Sequence, residues 1–139
     1  MLIDATGLIV GRLATVAAKK ALLGEKVDII NCEKAILSGS REDLTAQWKR
    51  KRIFGTWSKG PFYSRLPDRM VRRIIRGMLP YKNPRGRAAF ERIMCYRGVP
   101  MPFKDQKTFS LDQAHVKKLP THKFMSVGEI SKLIGGKNG

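Results

Sequence analysis

The sequence predicts an α/β domain built on a parallel sheet. Two apolar, strand-like runs separated by one amphipathic stretch carry that expectation, together with a length suited to one core. LIDA, at residues 2–5, reads as a short strand. GRLATVAAKKALLGEK follows, with Leu13, Val16, Ala17, Ala21 and Leu22 near helical spacing and Gly24 as a stop. VDII is then a buried strand. Strand, helix and strand within about 30 residues make a βαβ unit, which closes right-handed onto a parallel sheet. The 139 residues and 42% hydrophobic content suffice for one packed domain rather than a disordered basic tail.

AILSG adds a further short strand. Ser38 or Ser40 can cap the next helix, whose first turn holds Glu42 and Asp43, where the helix dipole favours acids. That helix is expected from about Arg41 to Ile53 and ends in WKRKR. FGTWSKGPFYSRL, residues 54–66, is rich in Gly and aromatics with weak periodicity, and reads as an ordered loop. Pro67 can begin a helix that Gly77 and Pro80 end. Asn83 and Pro84 mark the cap and first residue of another helix, expected to run to about Met94. After Gly98, VPMPFKDQKTF reads as a surface extension and HKFM as a last strand. Ser126 and Glu129 have capping-box spacing ahead of Ile130, Leu133 and Ile134.

Charge gives the functional signal. The formal net charge is +17 and the pI about 10.5. Such a charge repels itself in isolation and attracts polyanions, nucleic acid first and anionic membrane second. It is unevenly placed. Residues 49–92 carry 14 Lys and Arg against Asp68 and Glu91, whereas the first 48 residues hold six bases and six acids. In the helix from Pro67, Met70, Val71, Ile74, Ile75 and Met78 form one stripe, and Arg69, Arg72, Arg73 and Arg76 the other. Each buried apolar side chain contributes about 1.5–3 kcal/mol, and each like-charge pair costs only about 0.2–0.5 kcal/mol. Burial wins, so a helix with a cationic outer face can form.

Six of the seven bases from Arg69 to Arg87 are arginines, Lys82 being the exception. Arginine's planar fork clamps phosphate with two hydrogen bonds, which favours a phosphate-binding face over a merely solubilising one. YKNPRGR gathers Lys82, Arg85 and Arg87 around a helix start, where free amides favour an anion, and Gly86 permits a close backbone approach. Trp48, Phe54, Trp57, Phe62 and Tyr63 interleave with Lys49, Arg50, Lys51, Arg52, Lys59 and Arg65. Unpaired bases stack on rings and guanidinium planes. Phe54 and Phe62 are expected to anchor the core or the loop. Trp57, between Gly55 and Ser58, joins the basic residues as a candidate RNA contact.

Other chemistries find little support. No segment approaches the roughly 20 apolar residues that span a bilayer, and no basic region precedes the first apolar stretch as in a secretory signal. A cytoplasmic location fits. Cys32 and Cys95 suggest half-buried reduced thiols rather than a disulfide scaffold or zinc module. His115 and His122 lack metal-ligand spacing. TGLIVG opens a helix but matches no phosphate-loop pattern, and Asp4 reads as a turn cap rather than a catalytic carboxylate.

DATGLIVGRLA, KGPFYSRLPDRM and RGMLPYKNPRGRAAFERI resemble the large-subunit ribosomal protein L13 family, universal class, and LGEKVDIINCEKAILSG agrees in order and position. The loop and GVPMPF resemble its archaeal and eukaryotic branch. The likeness covers nearly the whole chain, the stretch after Phe109 only in outline. It implies a three-layer α/β/α fold around a four-stranded, largely parallel sheet, with a basic loop and helix extension. It implies binding to large-subunit rRNA, beside neighbouring large-subunit ribosomal proteins, in a structural and assembly role. No catalysis, cofactor, metal, membrane or small-molecule substrate is implied. Residues 1–139 are then one domain: 1–48 mainly βαβ scaffold, 49–92 the RNA-facing segment, 98–125 an extended segment, and 126–134 a terminal helix. A DNA-compacting cation and a nucleotide-dependent RNA-modifying enzyme are the competing readings.

Overall fold

The structure is a computed structural model that describes residues 1–109 and 111–136. Its parallel sheet has the order β1 (Leu2–Asp4), β2 (Val27–Ile30), β4 (Ile93–Cys95). β1 and β2 are joined through α1 (Val10–Leu22), as the apolar spacing predicts. Ile3 lies beside Ile29 and Ile29 beside Cys95, while Val27 lies beside Ile93. Ile3, Val27, Ile29 and Ile93 are fully buried and belong to one continuous core with Leu13, Ala17 and Ala21 of α1. Alternation along the strands therefore aims one residue set at the helices.

β3 (Ile36–Ser38) pairs antiparallel with β5 (Phe124–Ser126) in a second, two-stranded sheet. Among the described residues the main sheet thus has three strands rather than the expected four. The expected strand at HKFM begins two residues later, at Phe124. The main correction is β4. The helix expected to reach Met94 stops at Glu91, as α4 (Pro84–Glu91), and Ile93–Cys95 turns straight into the sheet. The Arg92 carbonyl accepts from Val27 N at 3.0 Å, and its guanidinium donates to Ala21 O at 2.9 Å. Sheet pairing and an occupied α1 carbonyl overrule the helical pattern there.

The remaining helices are α2 (Arg41–Ile53), α3 (Pro67–Arg76) and α5 (Val127–Leu133). Ser40 caps α2 by accepting from Asp43 N, and Ser126 caps α5 by accepting from Glu129 N, both at 3.2 Å. α1 packs against α3 and α4, and α3 touches β4. α5 packs against α2, α3 and β5. This seats the base of α3 firmly: Met70, Val71 and Ile75 are buried. Met78, expected on the same stripe, lies beyond the helix end and is exposed. No described helix is long and apolar enough to cross a membrane.

Candidate nucleic-acid interface

α2 leaves the scaffold as a helix anchored by Leu44 and Trp48 and becomes cationic toward its end. Trp48 is 4% exposed, so it is a core anchor, with the Lys51 ammonium 4.4 Å from its ring centre. Lys49 and Arg50 point to solvent, and Arg52 donates to Tyr63 O at 2.6 Å. That bond ties the end of α2 to the far side of the 54–66 loop.

The loop itself is closed by glycine. Gly55 has φ +86°, and a Cβ there would meet Gly60 Cα at 2.6 Å and Pro61 Cδ at 2.5 Å. Gly60 N donates to Thr56 O at 2.8 Å, and Lys59 N to the Thr56 hydroxyl at 3.1 Å. The tight turn holds Trp57 out at 93% exposure, with Lys59 beside it in solvent. Phe54 and Phe62, expected to be anchors, are exposed as well. Arg65 is exposed and lies toward Gly135, while its carbonyl accepts from the Ser131 hydroxyl.

Along α3 the arginines divide. Arg69 is exposed. Arg73 stacks over Tyr63, with 4.7 Å from guanidinium carbon to ring centre, and Arg76 over Tyr81 at 4.6 Å. Arg72 turns inward: its Nε donates to Ile93 O at 2.9 Å, its Nη2 to Phe90 O at 3.2 Å, and it stacks on Phe90. It ties α3 to α4 and β4. Arg72→Met is expected to lower stability by about 1–3 kcal/mol, because two inward carbonyls lose their donors. Thermal denaturation checks this; an unchanged midpoint would return Arg72 to the outward set.

Lys82, Arg85 and Arg87 are exposed around the start of α4. Asn83 occupies the N-cap position without a side-chain bond, and Pro84 follows as the first helical residue. Gly86 does permit a close approach, but to Pro80 of its own chain. The contacts therefore run from Arg52 through Tyr63 to Arg73, and from Arg76 to Tyr81, next to the α4 start. Arg69, Arg73 and Arg76 form no ion pair with a carboxylate among the described residues. Tyr63, Tyr81 and Phe90 were not expected as platforms for these arginines. Only the interleaving of rings and bases hinted at the first.

The remaining polar groups are occupied structurally. Asp4 Oδ1 accepts from Thr6 N, the Thr6 hydroxyl and Asn31 Nδ2. Burial alone would raise the pKa of Asp4, but these donors and Lys34 outweigh it and hold the carboxyl below its ordinary value. It caps the turn, as its place at a strand end suggests. Gly7 N donates to Lys34 O at 3.2 Å and Ile9 N to Ala114 O at 2.7 Å, so the TGLIVG turn is tied into the fold. Cys32 and Cys95 are buried rather than half-buried. A hydrogen bond with Cys95, then burial, pushes the Cys32 thiol far up, away from nucleophilic reactivity. His115 Nδ1 accepts from Lys117 N, and no group of His, Cys, Asp and Glu among the described residues could hold a metal.

The profile of a family described as Ribosomal protein L13 matches residues 1–102. A large ribosomal subunit protein uL13 from Methanosarcina barkeri is 44% identical over 136 residues, covering 97% of both chains. Its counterpart in Methanococcoides burtonii is 42% identical, again covering 97% of each chain. The protein of that name in Methanopyrus kandleri is 40% identical, covering 96% of this chain and 85% of its own.

Proposed function

The chain belongs to the ribosomal protein L13 family, and we propose that it is a structural component of the large ribosomal subunit that binds large-subunit rRNA and supports its folding. The observation that carries this reading is the ring-supported arginine array, Arg73 on Tyr63 and Arg76 on Tyr81, without carboxylate partners among the described residues. Guanidinium groups held in place and left unneutralised suit phosphates. Lys49, Arg50, Lys51, Lys59, Arg65 and Arg69 extend the array along α2, the loop and α3, and Lys82, Arg85 and Arg87 extend it to α4. Recognition is mostly of shape and backbone, with Trp57 available to an unpaired base. Residues 49–92 are the RNA-facing part of one domain whose scaffold is residues 1–48. Exposed Val99, Met101 and Phe109 on the following segment offer apolar area to neighbouring large-subunit proteins. The role is non-enzymatic and its place is the cytoplasmic ribosome.

Purified chain titrated with large-subunit rRNA fragments, scrambled RNA and duplex DNA across a salt series tests this. Neutralising some six to ten phosphates lowers affinity by about 10³–10⁵ between 50 and 200 mM salt on duplex DNA, and by less on single strands. One rRNA fragment retained at salt that releases both competitors is the expected result. Equal release of all three would leave a generic cation.

A further inference from the structure

A cleft of about 410 Å³ lies between α3 and the loop before it. Small-molecule sites run to about 300–1,000 Å³, so it has room for one nucleotide. Buried Trp48 and Met70 line its inner part, and exposed Phe62 and Arg69 lie toward solvent. Tyr63 and Arg73, already stacked on one another, complete the lining that matters. No carboxylate lines the cleft among the described residues. Guanidinium groups offer donors and no acceptors, so the cleft favours anionic ligands rich in acceptors.

Phosphate alone would satisfy the cations. It would not cover the ring of Phe62, which is 70% exposed beside them. A ligand that joins an anion to a flat π-face and carbonyl or ring-nitrogen acceptors fits both features. We propose that this cleft receives one unpaired nucleotide of the bound RNA, its base against Phe62 and its phosphate on Arg69 and Arg73. The assignment rests on the reading of the basic face as an RNA-binding surface, and gives that face a single-strand-selective element separate from Trp57.

The test uses the full chain with a single-stranded oligoribonucleotide carrying a fluorescent purine analogue, and an RNA duplex of equal length. Wild-type protein is expected to quench the analogue as it stacks. Phe62→Ala should weaken single-strand binding by about tenfold, with the salt dependence and duplex binding unchanged. Phe62→Tyr should restore single-strand affinity, which a loosened loop would not explain. An equal loss on both probes, or no loss on either, overturns the cleft assignment. So does displacement of the analogue by an acidic peptide more readily than by a nucleoside monophosphate. If wild type still binds both probes with a phosphate-like salt dependence, the basic face stands while the cleft falls. Absence of salt-dependent binding to either probe would overturn both.

Discussion

Arg73→Gln combined with Arg76→Gln is expected to weaken binding to large-subunit rRNA by about 100-fold or more at low salt. Hydrogen bonds to charged groups are worth about 1.5–3 kcal/mol each, and among the described residues neither guanidinium group has a carboxylate partner that would compete with phosphate. The slope of log affinity against log salt should shrink by about two, one for each lost phosphate contact. The fold should persist. Each arginine forfeits a ring contact worth about 0.5–1 kcal/mol, and the apolar base of α3 is untouched. A filter-binding titration with a parallel thermal melt reads both quantities. Unchanged affinity would remove this face from the RNA contact. A collapsed melting transition would show that these two arginines, like Arg72, serve the fold.

Gly86→Ala should have the opposite signature, a large loss of stability first and of RNA binding only as a consequence. An added Cβ would sit 1.9 Å from Pro80 O and 2.2 Å from Pro80 C. Those are backbone atoms, and the same carbonyl accepts from Asn83 N at 3.0 Å, so they cannot swing aside as a side-chain tip could. Pushing α4 off this turn should cost about 3 kcal/mol or more. The thermal midpoint should fall by about 10 °C. Arg85 and Arg87 flank Gly86 and would move with it. A midpoint within a degree of wild type would mean that the turn yields easily.

The scaffold was legible because its signals are local and agree. α1 has its apolar stripe, β2 its β-branched run, and α2 and α5 carry serine caps with acids in the first turn. β4 was not legible. Ala89 and Ile93 are four residues apart, the run IMC is three residues long, and no Gly or Pro separates it from α4. Only the distant β2 edge identifies it as a strand. The sheet count failed for a related reason, since β3 finds its partner in β5, which lies near the other end of the chain.

The candidate site divides in the same way. That α3 would carry arginines opposite an apolar stripe followed from helical spacing. That Arg72 would face inward did not, because its acceptors belong to Phe90 and Ile93 on other elements. Phe54 and Phe62, expected as anchors, are exposed. Their hydrophobicity was readable, but the Gly55–Gly60 closure that holds the loop in solvent was not.

The order of the parallel sheet has a consequence for how the molecule is made. β2 and β4 are neighbours in space, yet all of residues 31–92 lie between them along the chain, including the entire arginine-rich excursion. As the polypeptide grows, its sheet stays open at that edge until the excursion has been synthesised and folded back. Closing so long a loop costs chain entropy, and distant pairings of this kind slow folding. A polyanion that grips α2, the loop and α3 together would hold the excursion near its final path. Any ligand of the folded form alone stabilises it, by about 2.7 kcal/mol at a hundredfold excess over its dissociation constant. A polyanion so bound would act as a template for the last step of the chain's own folding.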